Sequence, residues 1–355
     1  MLECRAMQFR GSAALLVFMG CATLTPVPEA WRSVPQAARI TDLCARVRCA
    51  SRGANDVKVT DGKLVASGKD LTPQFRAIQS FDVSLERREV AFAAKRSDNF
   101  DIGLVSLDGS DIHWVPEDPA DETDVQWAPR GNKISFVVHS RTGDLVRTVH
   151  IPTSFQLTAD FPYTAVRALG WEPAAERYAV VLTSPEASER IERLKYSGEG
   201  RESVVAPAVR LDVSIEPLAD ALLMRPSTLH YGERVPLIVW ITETPFEWND
   251  ARGALMRNAR VACAIVRQPS EAFWTAARAV AWIDMEKVYV VSGAPAPSPA
   301  YPGAPLSATS VVADPKIPTG RYHVDDRIVR APPAIVESVA AGWIAEQLKD
   351  RNGPR

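Results

Sequence analysis

The hydrophobic pattern of this chain changes character near residue 230. From Val57 to about residue 226, short apolar runs alternate with polar positions and are separated by Gly, Pro or Asp turns, as in half-buried strands. The clearest example is Asp124–Phe136 (Asp-Val-Gln-Trp-Ala-Pro-Arg-Gly-Asn-Lys-Ile-Ser-Phe). One strand ends on Trp127, a Pro/Gly turn follows, and a second strand opens at Ile134. Upstream, Val57-Lys-Val-Thr-Asp-Gly-Lys-Leu-Val predicts a hairpin turning on Asp61-Gly62. The anchors Val83, Trp127, Trp171 and Ile215 lie 44 residues apart, and seven residues after them stand Val90, Ile134, Tyr178 and Leu222. A several-stranded unit repeating every 40–50 residues predicts a partial β-propeller, here of about four blades. Trp127 and Trp171 are expected in the core between blades.

From Tyr231 the runs lengthen. Val235–Ile241, Val261–Val266 and Val288–Val291 are continuously apolar, as in strands buried on both faces. Between and after them, helical spacing covers Ala251–Asn258, Glu271–Asp284 and Ala331–Leu348. This alternation predicts a small, mainly parallel, helix-covered sheet. The organisation is therefore a signal at 1–21, a tether and N-terminal segment at 22–56, propeller repeats at 57–228 and an α/β domain at 229–355.

Composition narrows the function. The chain has 355 residues, 46% of them hydrophobic, enough for a large core. Its 41 basic and 43 acidic residues form no basic stripe, which argues against nucleic acid as a partner. Arg10, the apolar run Ala13–Met19 and Gly20-Cys21 follow the order of a secretory signal. The segment resembles a bacterial lipoprotein box, which implies acylation of Cys21. With Ala22 next, it also implies an outer-membrane lipoprotein facing the periplasm. An ordinary cleaved signal would instead give a periplasmic or secreted protein. In an oxidising compartment Cys44 and Cys49 could close a disulfide loop, since no further Cys or His stands nearby to complete a metal site. Cys263 reads as a buried thiol.

Two resemblances carry functional weight. Val125-Gln-Trp-Ala-Pro-Arg-Gly-Asn-Lys-Ile-Ser-Phe, with Lys95-Arg-Ser-Asp-Asn-Phe-Asp-Ile upstream, resembles the TolB-type propeller repeat. Gly-Glu-Arg-Val-Pro-Leu-Ile-Val-Trp-Ile after a propeller, and Glu286-Lys-Val-Tyr-Val-Val-Ser-Gly, resemble the prolyl-oligopeptidase family and its α/β-hydrolase domain. That chemistry needs a serine on a sharp Gly-x-Ser-x-Gly elbow. The matching segment is Ser292-Gly293-Ala294-Pro295-Ala296, with Ala294 at the nucleophile position. Glu243 stands where the family builds its oxyanion site, and a carboxylate there would repel the oxyanion. Asp314 and Asp326 each resemble the acid loop and His323 could imitate the catalytic histidine, but His323, Asp325 and Asp326 read first as a solvated loop before the last helix. Ser292 and Ser298 are the serines to propose as displaced nucleophiles, but neither sits in an elbow sequence, and serine and histidine close in the chain without positioning are insufficient. No cofactor or metal motif is present.

These observations predict an exported, lipid-anchored, non-catalytic binding or scaffold protein. Its partner would be an envelope protein or peptide, held on the propeller face or in the inter-domain groove. The alternative is a serine hydrolase or peptidase of the prolyl-oligopeptidase type with an atypical site. A third reading, a carbohydrate- or peptidoglycan-binding module, would need aromatics exposed on one face.

Overall fold

A computed structural model describes residues 24–32, 34–50, 56–75, 77–116, 118–293, 301 and 303–351. Cys21, Ala294 and Ser298 lie outside the described residues. The N-terminal half is a row of small antiparallel sheets. The first has three strands, Lys58–Thr60, Lys63–Ala66 and Lys69–Asp70. Its hairpin turns on Asp61 and Gly62 at φ 51° and 76°, the left-handed pair that a two-residue turn of type I′ requires. Three four-stranded sheets follow, spanning 78–114, 121–162 and 165–205.

In each four-stranded sheet the anchors are direct cross-strand partners: Val83 faces Val90, Trp127 faces Ile134 and Trp171 faces Tyr178. The residue before an anchor then ties one sheet to the next. The Asp82 carboxylate accepts the Trp127 N–H at 2.8 Å, and the Gln126 amide donates to the Leu169 carbonyl. Gly131, at φ 58°, sits in the turn after Trp127, where a Cβ would come within 2.6 Å of Ser84 Oγ on the neighbouring sheet. Phe92, Phe136 and Tyr178 are fully buried between the layers. Trp127 and Trp171 are buried there too, Trp171 edge-on to Tyr178 with ring centroids 5.6 Å apart.

The row has two covered ends. Leu64 and Ala66 of the three-stranded sheet, with Leu71 just after it, pack on Val90 and Phe92. At the other end Ala179, Val181 and Ile191 face outward and are covered by Leu43, with Ile40, Val47 and Cys49 around it. Residues 43–47 form a single turn, closed by the Val47 N–H on the Leu43 carbonyl. A Cys44–Cys49 disulfide fixes it.

The C-terminal half is a nine-stranded mixed sheet. In chain order its strands are β1 (Thr25–Pro26), β2 (Val213–Leu218), β3 (Ala221–Pro226), β4 (Val235–Ile241), β5 (Ala262–Val266), β6 (Ile283–Ser292), β7 (Thr309–Ala313), β8 (Arg321–Asp325) and β9 (Ile328–Ala331). The spatial order is β1-β8-β9-β7-β6-β4-β5-β3-β2. The five central strands are parallel and the flanking pairs antiparallel. The helices are α1 (Glu29–Arg32), α2 (Asp250–Asn258), α3 (Glu271–Ala279) and α4 (Val336–Arg351). Ile238, Trp240 and Cys263 pack under α2 and α4, and Leu237, Val239 and Ala264 under α3. Cover on both faces is why these strands read as unbroken apolar runs.

One expectation is corrected. The hairpin at the fourth anchor is no propeller blade: β2 and β3 form the edge of the nine-stranded sheet, with β3 bonded to β5. Ile215 faces Met224 rather than Leu222, so the seven-residue spacing there is not a cross-strand pair. The expected tether is also partly structured. It enters as β1 at the sheet edge and continues into α1, whose Trp31 lies against Gly342 of α4.

Candidate functional site

In open α/β sheets a ligand site forms beyond the carboxyl ends of parallel strands, where the chain order reverses. Here the reversal lies at β4, because β5 flanks it on one side and β6 on the other. Ile241 and Ser292 end these strands in register. A groove of about 360 Å³ opens beside Gly293 at that edge. Its far wall, with Arg167, Thr183 and Glu189, belongs to the last four-stranded sheet, so the groove lies between the two halves of the molecule.

The segment from Glu247 to Asp250 builds the near wall. Asn249 caps α2, its Oδ1 accepting the Arg252 N–H at 2.9 Å, which fixes the chain's entry into the helix. Its amide donates to Glu337 at 2.7 Å, joining α2 to α4. The Trp248 N–H donates to Thr183 Oγ1 at 3.0 Å, and Arg167 pairs with Glu247 at 2.6 Å, both across the groove. The Trp248 indole N–H donates to Asp250 at 2.7 Å. Arg252 is buried beneath this wall, donating to the Glu247 carbonyl at 2.6 Å, and desolvation lowers its pKa from the usual guanidinium value. Carboxylates thus line both walls, with the Arg167 guanidinium on the far one, a surface suited to polar peptide groups.

The residues singled out from sequence are scattered by the register. Ser292 is at the edge, 3% exposed and hydrogen-bonded with Tyr301, whose hydroxyl is raised above its ordinary value mainly by burial. A phenol in that state donates a hydrogen bond and removes no proton at neutral pH. Val312, Arg330 and His323 follow Ser292 across successive strands. Three strand spacings put His323 roughly 14 Å from Ser292. Asp326, at φ 49°, turns between β8 and β9 at the opposite, amino-terminal edge. Asp314 immediately follows β7 and so reaches the same edge as Ser292. Cys263 is a buried free thiol whose pKa burial pushes up to about 12. No group of three metal-ligating side chains exists among the described residues. The groove walls went unread in the sequence. Asn249-Asp250 ahead of the α2 pattern marked a helix start, and nothing marked it as a site.

No protein-family model matches the sequence, and no curated protein does either. Solved structures do. A prolyl endopeptidase superposes with a TM-score of 0.56 at 13% identity, covering 86% of this chain and 63% of its own. The likeness is one of fold. Prolyl oligopeptidase B from Galerina marginata, bound to a 35mer substrate, gives a TM-score of 0.50 at 10% identity over 77% of this chain and 58% of its own. A Pyrococcus horikoshii acylaminoacyl peptidase gives 0.46 at 8% identity, covering 66% and 42%. The chain therefore spans about two fifths to two thirds of the length of these structures. The expectation of a non-catalytic scaffold is corrected by this result, because the structures sharing the propeller-plus-hydrolase fold are peptidases. At such identities the likeness establishes the architecture and leaves the chemistry to the residues.

Proposed function

We propose that this protein is a serine hydrolase acting on peptides, of the prolyl-oligopeptidase type but with an atypical site. The observation that carries the reading is the groove itself. It lies at the carboxyl edge of the central strands, beside Gly293, with the propeller sheets as its second wall. Ser292 is the attacking hydroxyl. It stands at the end of the strand that resembles the family's nucleophile strand, and it turns from Tyr301 toward the groove to react. Acyl transfer to Ser292 breaks the scissile C–N bond, the serine proton leaving on the amine half, and water then cleaves the acyl ester, freeing the acid half and restoring the hydroxyl.

A fluorophosphonate probe tests this directly. Folded protein should be labelled stoichiometrically at Ser292, and S292A should lose the label. Absence of label on folded wild-type protein, or undiminished labelling of S292A, rejects the assignment. Label on Ser298 would keep the hydrolase and move its nucleophile into residues 294–300.

The proposal includes a TolB-type ancestry for the propeller, supported by the first three anchors. It also includes export with acylation of Cys21, and a peptide or envelope protein as substrate. The disulfide between Cys44 and Cys49 supports an oxidising compartment. Incorporation of labelled palmitate should disappear in Cys21→Ser. Equal labelling of that variant removes the anchor from the proposal.

A further inference from the structure

Part of the groove's lining is a piece of this chain's own N-terminal segment. Residues 34–40 (Val-Pro-Gln-Ala-Ala-Arg-Ile) run without regular secondary structure along the groove. Both ends are fixed elsewhere. Before the segment, Trp31 packs against Gly342, and Arg32 Nε donates to the Val27 carbonyl at 3.1 Å. After it, Leu43 is buried on the last propeller sheet, and the Ala50 N–H donates to the Trp171 carbonyl at 2.7 Å.

Between these fixed ends the groove grips the main chain. The Ala37 N–H donates to Asp250 Oδ1 at 2.9 Å, and the Ile40 N–H donates to the Glu189 carboxylate. Asp250 belongs to the hydrolase-like half and Glu189 to the propeller half, so the segment bridges the two. Meanwhile Pro35, Gln36, Ala38 and Arg39 are exposed. Recognition through backbone N–H groups, with side chains left free, is how a site holds extended peptides of varied sequence. Carboxylate acceptors make these bonds stronger than neutral ones.

We propose that residues 34–40 are an intramolecular occluding peptide, held by Asp250 and Glu189, which must leave the groove before an external peptide can enter. The same two carboxylates then accept the backbone N–H groups of that peptide. This rests on the groove being the peptide site of the hydrolase reading, and it adds the gate and the acceptors.

The test leaves both carboxylates in place and removes the two donors, in the double variant A37P/I40P. Access is read on S338C, a groove-lining position at the start of α4. The reagents are iodoacetamide and a maleimide-capped decapeptide, with the modified cysteine located by peptide mapping. With both donors gone, the decapeptide should modify Cys at 338 about tenfold faster or more, given the strength of hydrogen bonds to charged acceptors. Iodoacetamide, small enough for the groove as it stands, should change far less. Equal decapeptide rates in the two backgrounds overturn the proposal. If the double variant loses its cooperative melt, the single variant I40P replaces it, removing one donor and leaving both carboxylates in place. It should give an intermediate acceleration, and no acceleration is again fatal. The readout needs no catalysis. Accelerated access without fluorophosphonate labelling would reject the hydrolase and keep the gate, and labelling without accelerated access would do the reverse.

Discussion

The hairpin at Trp127 and the hairpin at Ile215 share their place in the 44-residue register, yet they belong to different sheets. Around Trp127 the flanking sheets present matching faces, and Asp82 and Gln126 bond across to their neighbours. The anchor pair is a true cross-strand pair. Around Ile215 the turn is tighter, with Leu218 facing Ala221, and Leu222, Leu223 and Met224 bond to Ile265, Ala264 and Cys263. The difference teaches that a strand–turn–strand pattern specifies a hairpin and leaves its sheet open. The partner edge decides, and β5, a strand buried along its whole length, takes up β3 through Ala264 and its neighbours.

The strongest test of this contrast truncates one buried side chain in each hairpin. Phe136→Ala should cost about 3–5 kcal/mol and Leu223→Ala about 2–5 kcal/mol, both side chains being fully buried. Hydrogen exchange should place the first loss in the propeller sheets and the second in the nine-stranded sheet. Protection lost by L223A in residues 165–205 alone would return β2 and β3 to the propeller.

The next test uses pH. Glu122 is fully buried in the sheet spanning 121–162, and its pKa is raised from 4.5 to about 7 by desolvation, against the pull of Arg147 at 3.2 Å. A raised carboxyl favours the protonated folded state. Its contribution is therefore complete below pH 4.5, falls as pH rises toward 7, and is lost above. The change amounts to about 3 kcal/mol. Urea titrations of wild type and E122Q at pH 5 and pH 8 should show the variant less sensitive to pH. An identical dependence in the two proteins would show that Glu122 is not the group responsible.

Smaller effects follow. Replacing Cys44 and Cys49 by Ser should cost roughly 2 kcal/mol, as expected for a short closed loop, and should expose Ala179, Val181 and Ile191 rather than the nine-stranded sheet. Protease nicking near residue 45 reads this out, and unchanged resistance would mean that packing by Leu43 alone holds the cap. The smallest effect belongs to Arg167→Ala. Its pair with Glu247 spans the two halves but is part-exposed, at 44% and 31%, and should contribute under about 1 kcal/mol. A larger loss would show the halves to be coupled more tightly than this contact implies.

Much of the architecture was legible because it is local. The alternation from Val57, the Asp61-Gly62 turn and the three true anchors depend on residues a few positions apart. The central strands were legible because burial on both faces leaves an unbroken apolar run. The candidate site was far less so. His323, Asp326 and Ser292 lie within 35 residues of one another in the chain, and the sheet register then separates them across strands and edges. Asp250 and Glu189, 61 residues apart, come together on the groove.

By itself the sequence determined strands, turns, helices and the change of period near residue 230, because these follow from backbone propensity and one-dimensional burial patterns. It also determined that no Gly-x-Ser-x-Gly pattern stands at residues 292–296. Only the tertiary structure decided that β2 and β3 join the nine-stranded sheet. It alone decided that the segment expected to be a tether lines the groove, with its backbone N–H groups bonded to Asp250 and Glu189. Sheet-edge partnership and main-chain hydrogen bonding carry no residue-type signature, because any non-proline backbone can supply the N–H.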